Sequence, residues 1–159
     1  MKTVKDFMNR NVIYLAPDDT IFEAAKILSQ CNIAGAPVVD KDKVVGVISI
    51  SDIIKFVDIK LGVLPKIDTP GLSSLLLALV QMQKMHHDFQ KELQKITSSK
   101  IKQVMSKEVI TISPSTTLVE AAELMEKYDV NRLPVVSDGK LVGIVARADL
   151  IKALIYLEE

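Results

Sequence analysis

One cysteine, Cys31, stands alone among 159 residues, so no disulfide can close within the chain. That scarcity suits a reducing compartment. Tryptophan is missing and aromatic residues make up only 4%. Neither sign of charge prevails, since 20 basic residues face 20 acidic ones. The basic excess that drives phosphate neutralisation is therefore lacking, and no nucleic-acid partner is expected. Long hydrophobic runs are lacking too. The longest, Leu75 to Val80, falls far short of the ~20 residues a membrane span needs. Met1 to Asn11 holds no apolar signal-peptide core, so a cytoplasmic protein without a membrane partner is expected.

Chemistry-bearing motifs are also missing: there is no G-x-S-x-G, H-E-x-x-H, P-loop or G-x-G-x-x-G. His86 and His87 are adjacent, and neighbours on a helix do not face one another. No cysteine or carboxylate spacing completes a metal site around them. Cys31 follows a helical pattern, is expected to be buried, and has no base to activate it. Neither an enzyme, a metal site nor a required cofactor is expected.

What the chain does contain is itself, twice. Met8 and Met105 stand 97 positions apart. The same offset relates Ala24-Ala25 to Ala121-Ala122, Pro37-Val38-Val39 to Pro134-Val135-Val136, Gly46 to Gly143 and Asp52 to Asp149. The register holds without a gap from Val4 to Lys55 against Ile101 to Lys152, with about a third of the positions identical. Two repeats, 1–60 and 99–159, therefore flank a linker, 61–98.

Each repeat reads β-α-β-β-α. Val12 to Leu15 and Val109 to Ile112 are β-branched runs, predicted as first strands. Thr20 to Glu23 and Thr117 to Glu120 are capping boxes that open helices. Ile21, Ala24, Ala25 and Leu28, or Leu118, Ala121, Ala122 and Met125, share one helical face. Pro37 and Pro134 lead second strands, Asp138-Gly139 is a hairpin turn with a weaker counterpart at Asp40 to Lys43, and third strands follow. A last helix starts near Ser51 or Ala148. The expected fold is α/β (α+β), with the two repeats packed in pseudo-two-fold symmetry, because a three-stranded sheet leaves an apolar face that the second copy can cover. Clefts at such a seam are where small ligands sit.

This duplicated pattern, with h-P-V-V opening one strand and G-h-h-S-x-x-D closing the next, resembles the CBS domain, which works in pairs as the Bateman module. The resemblance implies a non-catalytic regulatory module. Its ligand would be an adenosine derivative: AMP, ADP, ATP or S-adenosylmethionine. It further implies that the Asp of S-x-x-D holds ribose hydroxyls and the Ser contacts phosphate. One cleft would combine Ser49 and Asp52 with Asn131, Arg132, Leu133 and Pro134, flanked by Met105 and Lys107. The other would combine Arg147 and Asp149 with Gly35, Ala36 and Pro37, flanked by Met8 and Arg10. The second repeat departs from the pattern, having Ala146 where the hydroxyl belongs, so the first cleft is expected to bind more tightly. The family commonly regulates an enzyme or transporter, which here would be a separate partner.

Leu72, Leu75, Leu79, Met82, His86, Phe89, Leu93 and Ile96 alternate steps of 3 and 4, predicting a long helix over about 72–97. An alternative function follows: a ligand-independent homodimerisation module that uses this inserted helix, with His86 making association pH-sensitive.

Overall fold

A computed structural model describes residues 2–61 and 87–156. In chain order its elements are a 3-10 turn Val4–Asp6, α1 Ile21–Gln30, β1 Gly35–Asp40, β2 Lys43–Ser49, α2 Ile50–Leu61, α3 His87–Thr97, a 3-10 turn Ile101–Gln103, α4 Leu118–Lys127, β3 Arg132–Ser137, β4 Lys140–Ala146 and α5 Arg147–Ile155. β1 pairs with β2, and β3 pairs antiparallel with β4. No helix among the described residues is long and apolar enough to cross a membrane.

The helix starts follow local chemistry. Thr20 Oγ1 accepts from the Glu23 amide at 3.1 Å while the Glu23 carboxylate takes the Thr20 amide at 2.9 Å. Thr117 and Glu120 do the same at 3.2 and 2.9 Å. The helix ends match as well. Asn32 and Asp129 take left-handed φ values of 52° and 50°. The next amides, of Ile33 and Val130, then reach back to the carbonyls of Leu28 and Met125, which closes a Schellman motif. Ala24 and Ala121 are buried, but their partners Ala25 and Ala122 are exposed, so the apolar face is narrower than the paired alanines suggest. Cys31 is exposed, not buried, because it caps the C-terminus of α1 outside the packed face.

Val12 to Leu15 and Val109 to Ile112 are not strands. Each makes one isolated parallel bridge, Leu15 with Val38 and Ile112 with Val135. Proline is the reason. The Leu15 and Ile112 amides each donate to the carbonyl of Pro37 or Pro134 at 3.0 Å. A parallel ladder would next need an amide from that same proline, and it has none.

Two compact units cut across the repeats. The first comprises Met1–Tyr14, Val39–Val45 and Glu108–Glu159; the second comprises Leu15–Val38 and Gly46–Lys107. In the first unit, Asn9 exchanges both backbone hydrogen bonds with Ile144, at 2.9 and 3.0 Å. A Cβ on Gly143 would lie 2.6 Å from the Met8 sulfur. In the second unit, Ser106 exchanges both bonds with Val47, and a Cβ on Gly46 would lie 2.5 Å from the Met105 sulfur. The lead-in segment of each repeat thus seats its methionine on the glycine of the other repeat. The core of the first unit joins Val4 and Met8 to Ile112, Ala121, Met125, Leu133, Val135 and Val145. Burying Leu133 or Met125 contributes roughly 1.5–3 kcal/mol over exposure.

The second unit buries Leu15, Ile21, Ala24, Leu28, Val38, Ile48, Ile53, Val57, Ile96 and Ile101. Its Pro17–Asp19 loop is bound to the second lead-in segment: the Ile101 amide donates to the Asp19 carbonyl and the Lys102 amide to that of Pro17. The ammoniums of Lys102 and Lys100 hold the Asp18 carboxyl below the ordinary carboxylate range. Of the long predicted helix, α3 is the described part, with Ile96 buried and Leu93 half-buried. Leu72, Leu75, Leu79, Met82 and His86 lie outside the described residues.

Candidate functional site

Where β2 ends and α2 begins, Ser49 and Asp52 cap one another. The Asp52 amide donates to Ser49 Oγ at 3.2 Å, and Asp52 Oδ2 accepts the Ser49 amide at 2.9 Å. The second repeat keeps half of this device. Asp149 Oδ2 accepts the Ala146 amide at 2.9 Å, with no hydroxyl to answer it. In both repeats the carboxylate is turned back over the helix N-terminus by one oxygen. The other Asp149 oxygen, Oδ1, lies 3.9 Å from Lys152 Nζ.

In the first unit Asp149 borders a cavity of about 580 Å³ lined by Lys2, Asp6, Phe7, Asp149, Lys152 and Tyr156. The Phe7 and Tyr156 rings stand 6.2 Å apart at 46°. Lys2 Nζ donates to the Tyr156 carbonyl at 3.1 Å and lies 5.4 Å from the Tyr156 ring centre. Asp6 is held as Asp149 is, with Oδ2 accepting the Thr3 amide at 2.9 Å. The arrangement offers flat apolar faces for a planar ring, carboxylate oxygens for paired hydroxyls and two ammoniums for an anionic group. A cavity of this size suits a small ligand.

Of the residues singled out from sequence, Met8, Arg10, Asn131, Arg132, Leu133, Pro134, Arg147 and Asp149 fall in the first unit. Gly35, Ala36, Pro37, Ser49, Asp52, Met105 and Lys107 fall in the second. Leu133, Pro134, Gly35, Ala36 and Pro37 are buried strand residues. The Asn131 carbonyl accepts the Arg147 amide at 3.0 Å, and the Ala34 carbonyl accepts that of Ile50 at 2.9 Å. Each S-x-x-D helix is thereby tied to the segment entering the strand of its own repeat. The Arg147 guanidinium is occupied at the C-terminus of α4, donating to the carbonyls of Met125 and Val130 at 3.3 Å each. Met8 and Met105 pack on glycines, while Arg10 and Lys107 are exposed.

Sequence reasoning missed Lys2, Asp6, Phe7, Lys152 and Tyr156. The available signal was aromatic scarcity: Phe7 and Tyr156 are two of only three tyrosines and four phenylalanines. The positions 97 residues away, all in the second unit, are Ser99, Gln103, Val104, Asp52, Lys55 and Ile59. There the aromatic pair and the second carboxylate are replaced.

A sequence model of the CBS domain matches residues 4–59 and 101–156. The chain is 38% identical over 154 residues to MJ1426 of Methanocaldococcus jannaschii, covering 96% of this chain and 90% of that protein. Its structure is similar to that of CBSX2 in complex with AMP, with a TM-score of 0.71, 26% identity and full coverage of both chains. It is also similar to the CBS domain pair of MJ0100 in complex with 5′-methylthioadenosine and S-adenosyl-L-methionine, with a TM-score of 0.66 and 29% identity over 99% of this chain and 98% of that one. Against one solved relative it spans only 48% of the other chain.

Proposed function

Since the chain belongs to the CBS-domain family and carries the domain twice, we propose that it is a non-catalytic regulatory module that takes an adenosine derivative into the Asp149 cavity of the first unit. The observation that carries this reading is the Asp149 carboxylate. It is fixed by the Ala146 amide through Oδ2, keeps Oδ1 3.9 Å from Lys152 Nζ, and borders a cavity that also holds an aromatic pair. A ribose diol supplies two donors that one carboxylate can accept in a charge-assisted way. The base would lie against Phe7 and Tyr156, and Lys2 and Lys152 would meet a phosphate or a carboxylate. The relatives solved with AMP, 5′-methylthioadenosine and S-adenosylmethionine share only the adenosine part, which is the part this set of groups fits. Occupancy would be passed to a separate enzyme or transporter through different affinities for two arrangements of the chain.

On this reading the richer site is the Asp149 cavity and not the Ser49/Asp52 position. Ser49 Oγ and Asp52 Oδ2 each accept a backbone amide of the helix start, as Asp149 Oδ2 does, but the positions that match the aromatic pair are Val104 and Ile59. Calorimetric titration of the full chain with AMP, ADP, ATP and S-adenosylmethionine, with GMP as the control, tests the proposal. Saturable binding of at least one adenosine compound, and not of GMP, is expected. Silence toward all four at millimolar concentration would sink it.

A second reading, self-association, is favoured by α5. Ile151, Leu154 and Ile155 lie on one helical face and are exposed by 63%, 63% and 70%. Sedimentation velocity should show a dimer at micromolar concentration that Ile151→Glu converts to monomer. A wild-type monomer at that concentration would remove this reading.

A further inference from the structure

A second cavity of the first unit, about 460 Å³, lies at the opposite end of β4 from Asp149. Six residue steps of strand separate them, roughly 20 Å. Arg10, Lys41 and Lys140 border it, together with Asp42 and Tyr14. The three cations come from three separate chain segments. None of them forms an ion pair among the described residues. Tyr14 is 60% exposed. Asp42 offsets part of this charge and Arg10 donates to the Lys5 carbonyl at 3.4 Å, but three cations against one carboxylate leave the lining net positive, which favours an anion.

The backbone supplies an independent observation. Both hairpins turn through two residues with positive φ, the geometry of a type I′ turn. The β3–β4 turn meets it with Asp138 and Gly139, at 52° and 76°. The β1–β2 turn places Lys41 at 48° and Asp42 at 67°. Of the five non-glycine residues with positive φ, four are Asn or Asp; Lys41 is the exception. Asparagine or glycine would fit that backbone better. Lys41 holds this less favourable backbone while its side chain borders the groove, and strain of this kind clusters at functional sites.

We propose that this groove is a binding site for a small phosphorylated ligand. Arg10, Lys41 and Lys140 hold the phosphates and the Tyr14 face meets an adjoining flat or apolar group. Arg10 supplies a fixed fork of donors matched to phosphate oxygens. The two lysines act as point charges. The site is independent of the Asp149 cavity.

The test uses the full chain and inorganic tripolyphosphate, which carries the charge without a base or a sugar. Calorimetry at low salt should show saturable binding that weakens as ionic strength rises. Lys41→Asn should weaken it about fivefold or more while raising Tm, because asparagine suits the turn. Lys140→Gln should weaken it comparably. Asp149→Ala should leave it unchanged. No binding at millimolar tripolyphosphate overturns the proposal, as does wild-type affinity in Lys41→Asn. Loss of binding in Asp149→Ala would place the anion in the other cavity and overturn it as well.

Discussion

Replacing Gly46 by alanine should lower the stability of the chain by about 1–3 kcal/mol, the usual cost of forcing atoms into a packed interior. The new methyl group would stand 2.5 Å from Met105 Sδ, 3.0 Å from its Cγ and 2.9 Å from the Ser106 carbonyl oxygen. A thioether can rotate away. The Ser106 oxygen has less freedom, because Ser106 and Val47 exchange both backbone bonds. Gly143→Ala meets the matching Met8 sulfur at 2.6 Å, but its nearest backbone oxygen, that of Asn9, is at 3.2 Å. The Gly143 substitution should therefore be the milder of the two. Double-mutant cycles identify the partner. Gly46→Ala should couple to Met105→Ala, the pair costing less than the sum of the singles, and should be additive with Met8→Ala. Gly143→Ala should show the reverse. Thermal or urea unfolding reads both, and additivity in all four combinations would mean that the methionines do not sit on these glycines.

Asp149→Ala should weaken binding of the adenosine ligand by about 10- to 100-fold, the range expected when a charged acceptor is removed from hydroxyl partners. It should also cost about 1 kcal/mol of stability, because the Ala146 amide loses its cap. Asp149→Asn separates the two roles. Its amide oxygen can still accept from Ala146, so stability should largely return, but the charge that strengthens the diol contact is gone and affinity should stay low. Tyr156→Leu should weaken binding by removing one of the two aromatic faces. Asp52→Ala should leave affinity at this cavity unchanged, since Asp52 is not among the residues that line it. An Asp149→Asn protein that binds like wild type would leave Asp149 with a capping role only, and the ligand would have to be sought elsewhere.

Much of the fold was legible because it is local. A Thr followed three residues later by Glu makes a reciprocal cap whatever surrounds it, and Thr20 and Thr117 both do so. Asp138-Gly139 turns as that dipeptide should. The constant offset of 97 exposed the duplication, and the structure repeats it: the left-handed residues at 32, 41 and 42 recur at 129, 138 and 139. The failures have equally physical causes. Val12 to Leu15 has strand composition, but Pro37 withholds the amide that a longer ladder would need. Cys31 follows an apolar helix, but a C-cap lies beyond the packed face.

The candidate site was half legible. Asp149 and Asp52 were singled out because the resemblance to the CBS domain assigns the Asp of S-x-x-D to the ribose; the spacing by itself reads as a helix cap. Lys2, Phe7 and Tyr156 were not, since Lys2 and Tyr156 meet across 154 positions of chain. No periodicity reports such a distance.

By itself the sequence determined that there are two copies, where α1 and α4 start, which residues turn the hairpins and which carboxylates stand at the helix N-termini. These depend on hydrogen bonds spanning three or four residues. The tertiary structure alone decided that Lys2, Phe7 and Tyr156 gather around Asp149; that each lead-in segment joins the body of the other repeat was implied by the family resemblance and by no pattern in the residues themselves. Two near-identical repeats leave the same pattern whether their lead-ins stay or cross. Only the fit of a methionine over a residue without a side chain, in three dimensions, distinguishes one pairing from the other.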